Sequence, residues 1–293
     1  MKSRLLWLAG FACAAGCADL SGCTGQESDA EAGQEDTETG TLFDSDSESG
    51  SDSETDGTPD TDESGVPLGS WTWLKGGSAL EDEGCFVPTH GEMGVGSIDN
   101  NPSARVGAGS WLGADGTFWL YGGASTECYA ATPEEIDGVD AVNLGDMWTL
   151  DNETLEWTWV GGVSDPLETW EPVYGEPGVA NPSITPGRRV GSACWTGPNG
   201  DLWLFGGRAE LAAVGEVVFA DLWRFEVDSL AWAFEGGSSE PGDDGSYGVI
   251  GAPSAEHHPP ARRSAAAWTD SEGRFWLFGG VRDADGCPVL DDL

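Results

Sequence analysis

The sequence predicts an all-β fold assembled from repeated four-stranded antiparallel units, and three observations predict it. A segment opening Pro-x-x-Arg recurs three times after residue 100, with a tryptophan and an aromatic-Gly-Gly at constant distances behind it. A second segment, Asp-x-Trp followed by a further tryptophan, recurs twice. No apolar period of 3.6 persists through this region, so no long amphipathic helix competes with a strand reading.

The first segment begins at Pro102/Arg105, Pro186/Arg189 and Pro259/Arg262. A tryptophan follows each arginine by six residues (Trp111, Trp195, Trp268), and an aromatic follows it by 16 (Tyr121, Phe205, Phe278). Each aromatic precedes a glycine pair: Gly122-Gly123, Gly206-Gly207 and Gly279-Gly280. Strand a is expected from the arginine to the first tryptophan. Strand b is expected over Phe118–Tyr121, Leu202–Phe205 and Phe275–Phe278, runs of the aromatic and aliphatic residues that favour strands. Asp115-Gly116, Asn199-Gly200 and Glu272-Gly273 supply the tight turn between them. The paired glycines are expected to end strand b, where a positive φ or a close backbone approach excludes a side chain.

The second segment supplies strands c and d. Strand c starts at Asp146 or Asp221 and carries Trp148 or Trp223. Strand d starts eleven residues after each aspartate, at Trp157 or Trp232, and closes on Gly161-Gly162 or Gly236-Gly237. A detached copy of strand d leads the region at residues 71–77, Trp71-Thr72-Trp73-Leu74-Lys75-Gly76-Gly77. A single four-stranded unit has two apolar faces and cannot cover both. Radial stacking of such units does cover them, which makes a β-propeller the expected architecture. The large rings then fill the wedge between blades, so Trp119, Trp148, Trp203, Trp223 and Trp276 read as core. Trp170, in a long connection, reads as an exposed contact.

These residues resemble the kelch repeat. That family has a double glycine after an apolar strand b, an aromatic in strand c and a tryptophan at strand d, the places taken here by Trp148 and Trp223 and by Trp157 and Trp232. The resemblance covers residues 71–293 and implies a partial kelch-type β-propeller. Its parts are the leading strand 71–77, a blade at 102–162, a blade at 186–237 and a partial blade at 259–293. The arginines recur every 84 and 73 residues, against about 50 for a kelch unit. The excess lies in the d-to-a connections, residues 78–101, 163–185 and 238–258, and in the b-to-c connection 124–142. All read as Gly/Pro/acid-rich surface loops. Val289-Leu290-Asp291-Asp292-Leu293 aligns with the start of strand c, so about two and a half blades are expected, as in a truncated product or fragment. An open arc completed by another copy and a small ring are the alternatives. Exposed blade edges predict self-association.

Ahead of this region the chain changes character. Lys2 and Arg4 precede an apolar run over residues 5–18, too short to span a bilayer but suited to a signal peptide. Its end resembles a bacterial lipoprotein signal, in which small residues precede a lipidated cysteine. Ala14-Ala15-Gly16-Cys17 fits, with Leu20-Ser21-Gly22-Cys23 as the alternative. Cleavage at Cys17 places Ala18 next, and the sorting rule for such proteins then implies the outer membrane. Residues 18–70 read as an acidic disordered linker; residues 24–70 hold 15 acidic residues and no basic one. The whole chain carries a formal charge of -40, and residues 71–293 alone about -26. Such a surface repels phosphate backbones, so nucleic acid is excluded as a partner.

Export permits disulfides. On the propeller reading, Cys85 and Cys128 lie in loops of one face and form the candidate bridge, Cys194 is a buried strand-a thiol, and Cys287 lacks an evident partner. No Cys-x-x-Cys occurs, and His90, His257 and His258 have no companion ligands in sequence, so no metal or other cofactor is assigned. One enzyme class shares the architecture, the copper-radical galactose oxidases, which need two His and two Tyr with one Tyr cross-linked to Cys. Tyr121, Tyr129, Tyr174 and Tyr247 do not assemble that set residue by residue, and no catalytic residue is assigned. The sequence therefore points to a non-catalytic cell-envelope scaffold presenting long loops to protein or glycan. A galactose-oxidase-like enzyme, or a non-functional remnant of one, is the alternative. Arg105, Arg189 and Arg262, repeated once per unit, read as structural.

Overall fold

A computed structural model describes residues 71–76, 88–125, 142–165, 170–282 and 288–293. Among them are twelve β-strands and no helix. The first unit is a four-stranded antiparallel sheet of β1 (Gly109–Leu112), β2 (Phe118–Ser125), β3 (Val142–Leu150) and β4 (Trp157–Gly161), paired in chain order. The second has the same path through β5 (Ala193–Thr196), β6 (Leu202–Phe205), β9 (Ala220–Glu226) and β10 (Ala231–Ser238). The third is the hairpin of β11 (Ala266–Thr269) and β12 (Phe275–Phe278). The chain is thus an all-β domain of small antiparallel sheets that resemble partial propeller blades.

Register repeats as closely as sequence does. Trp111 faces Trp119, Trp195 faces Trp203 and Trp268 faces Trp276 across the a–b pairs. The a–b turns are also alike. In each, the glycine of the turn dipeptide has φ between 78° and 89° and donates its N–H three residues back. That left-handed conformation is one a Cβ-bearing residue avoids.

Neighbouring units stack through one recurring set of contacts. The Trp111 indole donates to Trp203 O at 3.0 Å, and the Trp195 indole to Trp276 O at 2.9 Å. Gly123 N donates to Arg189 O, and Gly207 N to Arg262 O. Between the first two units lies the main core, where Trp119 meets Phe225 and Tyr121 meets Trp232 at ring-centroid distances of 5.7 and 5.0 Å. A second cluster between units two and three gathers Ala193, Trp195, Phe205, Val218 and Phe275. Each large ring contributes about 150–250 Å² of buried surface, so these wedges are a major source of apolar burial, beside a third cluster of Leu120, Trp148, Leu150 and Trp157 within the first unit.

The structure differs from the sequence reading at several points. Strand a starts four residues after its arginine, because the arginine segment is held in irregular backbone by the contacts described below. Strand b of the first unit does not end at its glycine pair. It continues to Ser125 through a bulge between Tyr121 and Gly123, and β3 correspondingly begins four residues before Asp146. In the second unit the equivalent stretch forms a separate hairpin of β7 (Arg208–Leu211) and β8 (Gly215–Val218). Trp203 and Trp276 are half-buried rather than core: Trp203 packs on Phe275 of the two-stranded third unit and Trp276 stacks on Trp268 within its own hairpin, whereas Trp119, Trp148 and Trp223 are buried. In the leading segment Trp71 and Trp73 are exposed, and Lys75 Nζ donates to Ile98 O and Leu155 O at 3.0 and 2.9 Å.

Candidate functional site

Each repeated arginine sits at the centre of one hydrogen-bond hub. In the second unit Arg189 Nη1 and Nη2 donate to Asp221 Oδ1 and Oδ2 at 2.7 and 3.1 Å, and Nη1 also donates to Gly206 O at 3.0 Å. In the first, Arg105 reaches Asp146 at 2.6 and 2.8 Å and Gly122 O at 2.9 Å. In the third, Arg262 reaches Asp292 at 2.9 and 2.6 Å and Gly279 O at 2.9 Å. The forked, bidentate geometry suits guanidinium and would not be met by lysine. The strand-c tryptophans close the hubs: Trp148 and Trp223 donate their indole N–H to Asp146 and Asp221 at 2.7 and 2.8 Å.

The glycine pairs make this approach possible. Gly122, Gly206 and Gly279 have φ of 62°, 63° and 69°. A methyl on Gly206 would lie 2.5 Å from Arg262 O and 2.9 Å from Phe219 O, both on the path to the next unit. Trp157 and Trp232 are buried at the start of strand d, edge-on to Trp148 and Trp223.

Sequence reasoning missed the third member of each hub. The d-to-a connections are not featureless loops. Their bridges Thr89 to Asn101, Val173 to Thr185 and Ser246 to His258 have equal spacing, and the residue after the first partner points at the hub aspartate. Tyr174 donates its hydroxyl to Asp221 Oδ2 at 2.9 Å, Tyr247 to Asp292 Oδ2 at 2.6 Å, and His90 Nε2 lies 3.6 Å from Asp146 Oδ2. The signal was available: His90-Gly91, Tyr174-Gly175 and Tyr247-Gly248 each stand fifteen residues before the arginine. In the first two units the insert also lies along the outer edge of its own strand d. Gly94 and Ser97 donate to Trp159 O and Trp157 O, and Gly178 and Asn181 to Phe234 O and Trp232 O. Occupied donors and acceptors along that edge block strand addition by another chain.

The electrostatics follow from this geometry. Burial pushes the Asp146 carboxyl up, but the charge and hydrogen bonds of Arg105, the Trp148 indole N–H and the nearby His90 ring hold it well below the usual carboxylate range. Burial and the adjacent Asp221 charge push the Tyr174 phenol up, so it stays a hydrogen-bond donor. Burial pushes the Cys194 thiol, on β5, up to about 12, which leaves it a poor nucleophile at neutral pH.

Other residues singled out in the sequence do not converge. Cys17, Cys23, Cys85, Cys128, Tyr129 and Cys287 lie outside the described residues. His257 Nδ1 lies 3.0 Å from Ser246 Oγ, and His258 lies 3.8 Å from Asp243. Among the described residues no three His, Cys, Asp or Glu side chains cluster as metal ligands would. Trp170 is half-buried rather than fully exposed, because its indole N–H is tied to Thr185 Oγ1 at 3.1 Å.

No family model matches this chain, and no curated protein matches it. Among solved structures, the one titled "Structure of YjhT" is similar, with 14% identity and a TM-score of 0.39 over 63% of this chain. The aligned part spans 47% of that structure's own chain.

Proposed function

We propose that the protein is a non-catalytic, kelch-type propeller that holds a set of inserts out for recognition of a protein or glycan at the cell envelope. One observation carries this reading: the inserts share a framework and differ at their tips. The three share bridge spacing, the glycines Gly94, Gly178 and Gly251 with φ of 77–79°, and the group turned toward the hub. Between those fixed points, the exposed pairs are Met93 and Val95, Pro177 and Val179, and Ile250 and Ala252. A constant scaffold with variable, partly apolar tips is what recognition loops on a rigid sheet require. A photo-crosslinking residue placed at Met93, Pro177 or Ile250 in the cell envelope should capture a partner that the same residue at Asn152, on the c–d turn, does not. Equal capture at all four positions, or none at any, overturns the proposal.

The envelope location rests on the sequence. The basic start, the apolar run and the small residues before Cys17 support a lipid anchor on Cys17, with Cys23 second. The acidic residues 18–70 then act as a tether, and the outer membrane is the destination. Two or three acyl chains hold a protein firmly to a bilayer. Cys17→Ala should move the full chain from the detergent phase to the aqueous phase in Triton X-114 partitioning and abolish incorporation of labelled palmitate. If Cys17→Ala behaves as the parent and Cys23→Ala loses both, the anchor is Cys23. If neither changes partitioning, there is no anchor.

A further inference from the structure

We propose that a groove in the second insert, floored by Trp170, binds the side chain of a lysine or arginine from a cationic peptide. The inference rests on the recognition role proposed above and names the chemistry of one partner site. Trp170, Glu171, Val173, Pro182, Ile184 and Thr185 line the groove. Its floor is set in advance. The indole N–H is held by Thr185 Oγ1, the Trp170 carbonyl accepts from Arg188 N at 3.0 Å, and the Val173–Thr185 bridge fixes the two walls. Glu171 is positioned as well, since Ala212 N at the tip of the β7–β8 hairpin donates to its Oε1 at 3.1 Å.

The lining matches a ligand with an apolar stem and a cationic head. Val173 and Pro182 are exposed apolar surface on which a methylene chain can lie. A cation over an indole face, beside a carboxylate, gains from both the ring quadrupole and the charge. The wider field has the same sign, because residues 71–293 hold 36 acidic and 10 basic residues. That field disfavours anionic saccharides and acidic peptides. The pairing of an indole with a carboxylate is particular to this unit: Trp170-Glu171 stands where the first unit has Phe86-Val87 before His90 and the third has Asp243-Asp244 before Tyr247.

The test uses the full chain labelled with 15N and titrated with tetralysine, with tetra-(Nε-acetyl-lysine) as the neutral control. The Trp170 indole resonance is identified by its loss in Trp170→Phe. Tetralysine should shift that resonance saturably, and the acetylated peptide should not. Glu171→Gln should weaken the affinity read from the Trp170 resonance roughly threefold or more, and Trp170→Ala, followed instead through the backbone amides of Val173 and Thr185, should remove their saturable shift, roughly a fivefold loss or greater. The acidic tether takes up cations in every variant and supplies a constant background. An unmoved Trp170 resonance at millimolar tetralysine, an equal shift with the acetylated peptide, or an affinity unchanged by both variants overturns the groove assignment. Capture at the insert tips with a silent groove would leave the recognition role standing and sink only this site. A silent groove with no capture would sink both.

Discussion

Arg189→Ala should be among the most destabilising single changes in the described region, costing about 3–5 kcal/mol, the range for removing one partner of a buried ion pair. The reason is the carboxylate left behind. Arg189 and Asp221 have side-chain exposures of 0% and 0%, and Arg189 is the cation paired with Asp221 among the described residues. Tyr174 and Trp223 donate to that carboxylate but cannot neutralise it. Arg189 also stacks 4.6 Å over the Phe219 ring and ties down the Pro186 and Gly206 carbonyls, so the alanine frees two backbone acceptors at once. The same change at Arg262 should cost less, because Asp292 is 26% exposed and water can solvate it. The double variant Arg189→Met/Asp221→Leu separates charge from shape. With both charges removed, stability should recover by several kcal/mol relative to Arg189→Ala. Urea unfolding of the set, read by tryptophan fluorescence, checks the order. Equal losses at Arg189 and Arg262, or a double variant no better than the single, would mean that the hub is not held by its charge pair.

The hub also marks where sequence reading reached its end. Strands a and b were legible because everything that defines them is local: alternating aromatics, an Asn-Gly or Asp-Gly turn, and a fixed interval from arginine to glycine pair. Strand d was legible for the same reason. That the arginine and the strand-c aspartate are partners was not legible. They stand 41, 32 and 30 residues apart in the three units, and the variable b-to-c connection between them hides any constant spacing. The inserts were misread for a different reason. Glycine, proline and acidic residues signal loop in composition, yet here the glycines set the positive φ values of an ordered and repeated framework. Only an alignment on Tyr174 and Tyr247, with histidine accepted at position 90, exposes it. The β7–β8 hairpin had no adequate signal, since Arg-Ala-Glu-Leu and Gly-Glu-Val-Val are too short and too mixed to stand out as strands. Trp170 looked free because its tie to Thr185 bridges fifteen residues of irregular chain.

Gly162→Ala should be the second large effect, and its neighbour provides the control. The two glycines closing strand d look equivalent in sequence and are not equivalent in space. A Cβ on Gly161 meets nothing within 4 Å, so Gly161→Ala should change stability by no more than about 0.5 kcal/mol. Gly162 has φ of 79°, and its Cβ would collide with the Gly145 carbonyl oxygen and lie 2.8 Å from Asp146 Cα. The left-handed backbone costs an alanine about 1–2 kcal/mol. The clash is with backbone, which cannot swing aside as a long side chain would, and it adds about 1–3 kcal/mol. A total loss of about 2–5 kcal/mol is therefore expected. The displacement would be felt at the hub, because the peptide being pushed is the one that carries Asp146 to Arg105. Gly162→Ala should accordingly lose much of its additional penalty in an Arg105→Met/Asp146→Leu background, where no ion pair depends on that peptide. Thermal melts of the two glycine variants in both backgrounds measure the coupling. Identical melting temperatures for Gly161→Ala and Gly162→Ala would refute the close approach of strand d to the start of strand c on which the hub geometry depends.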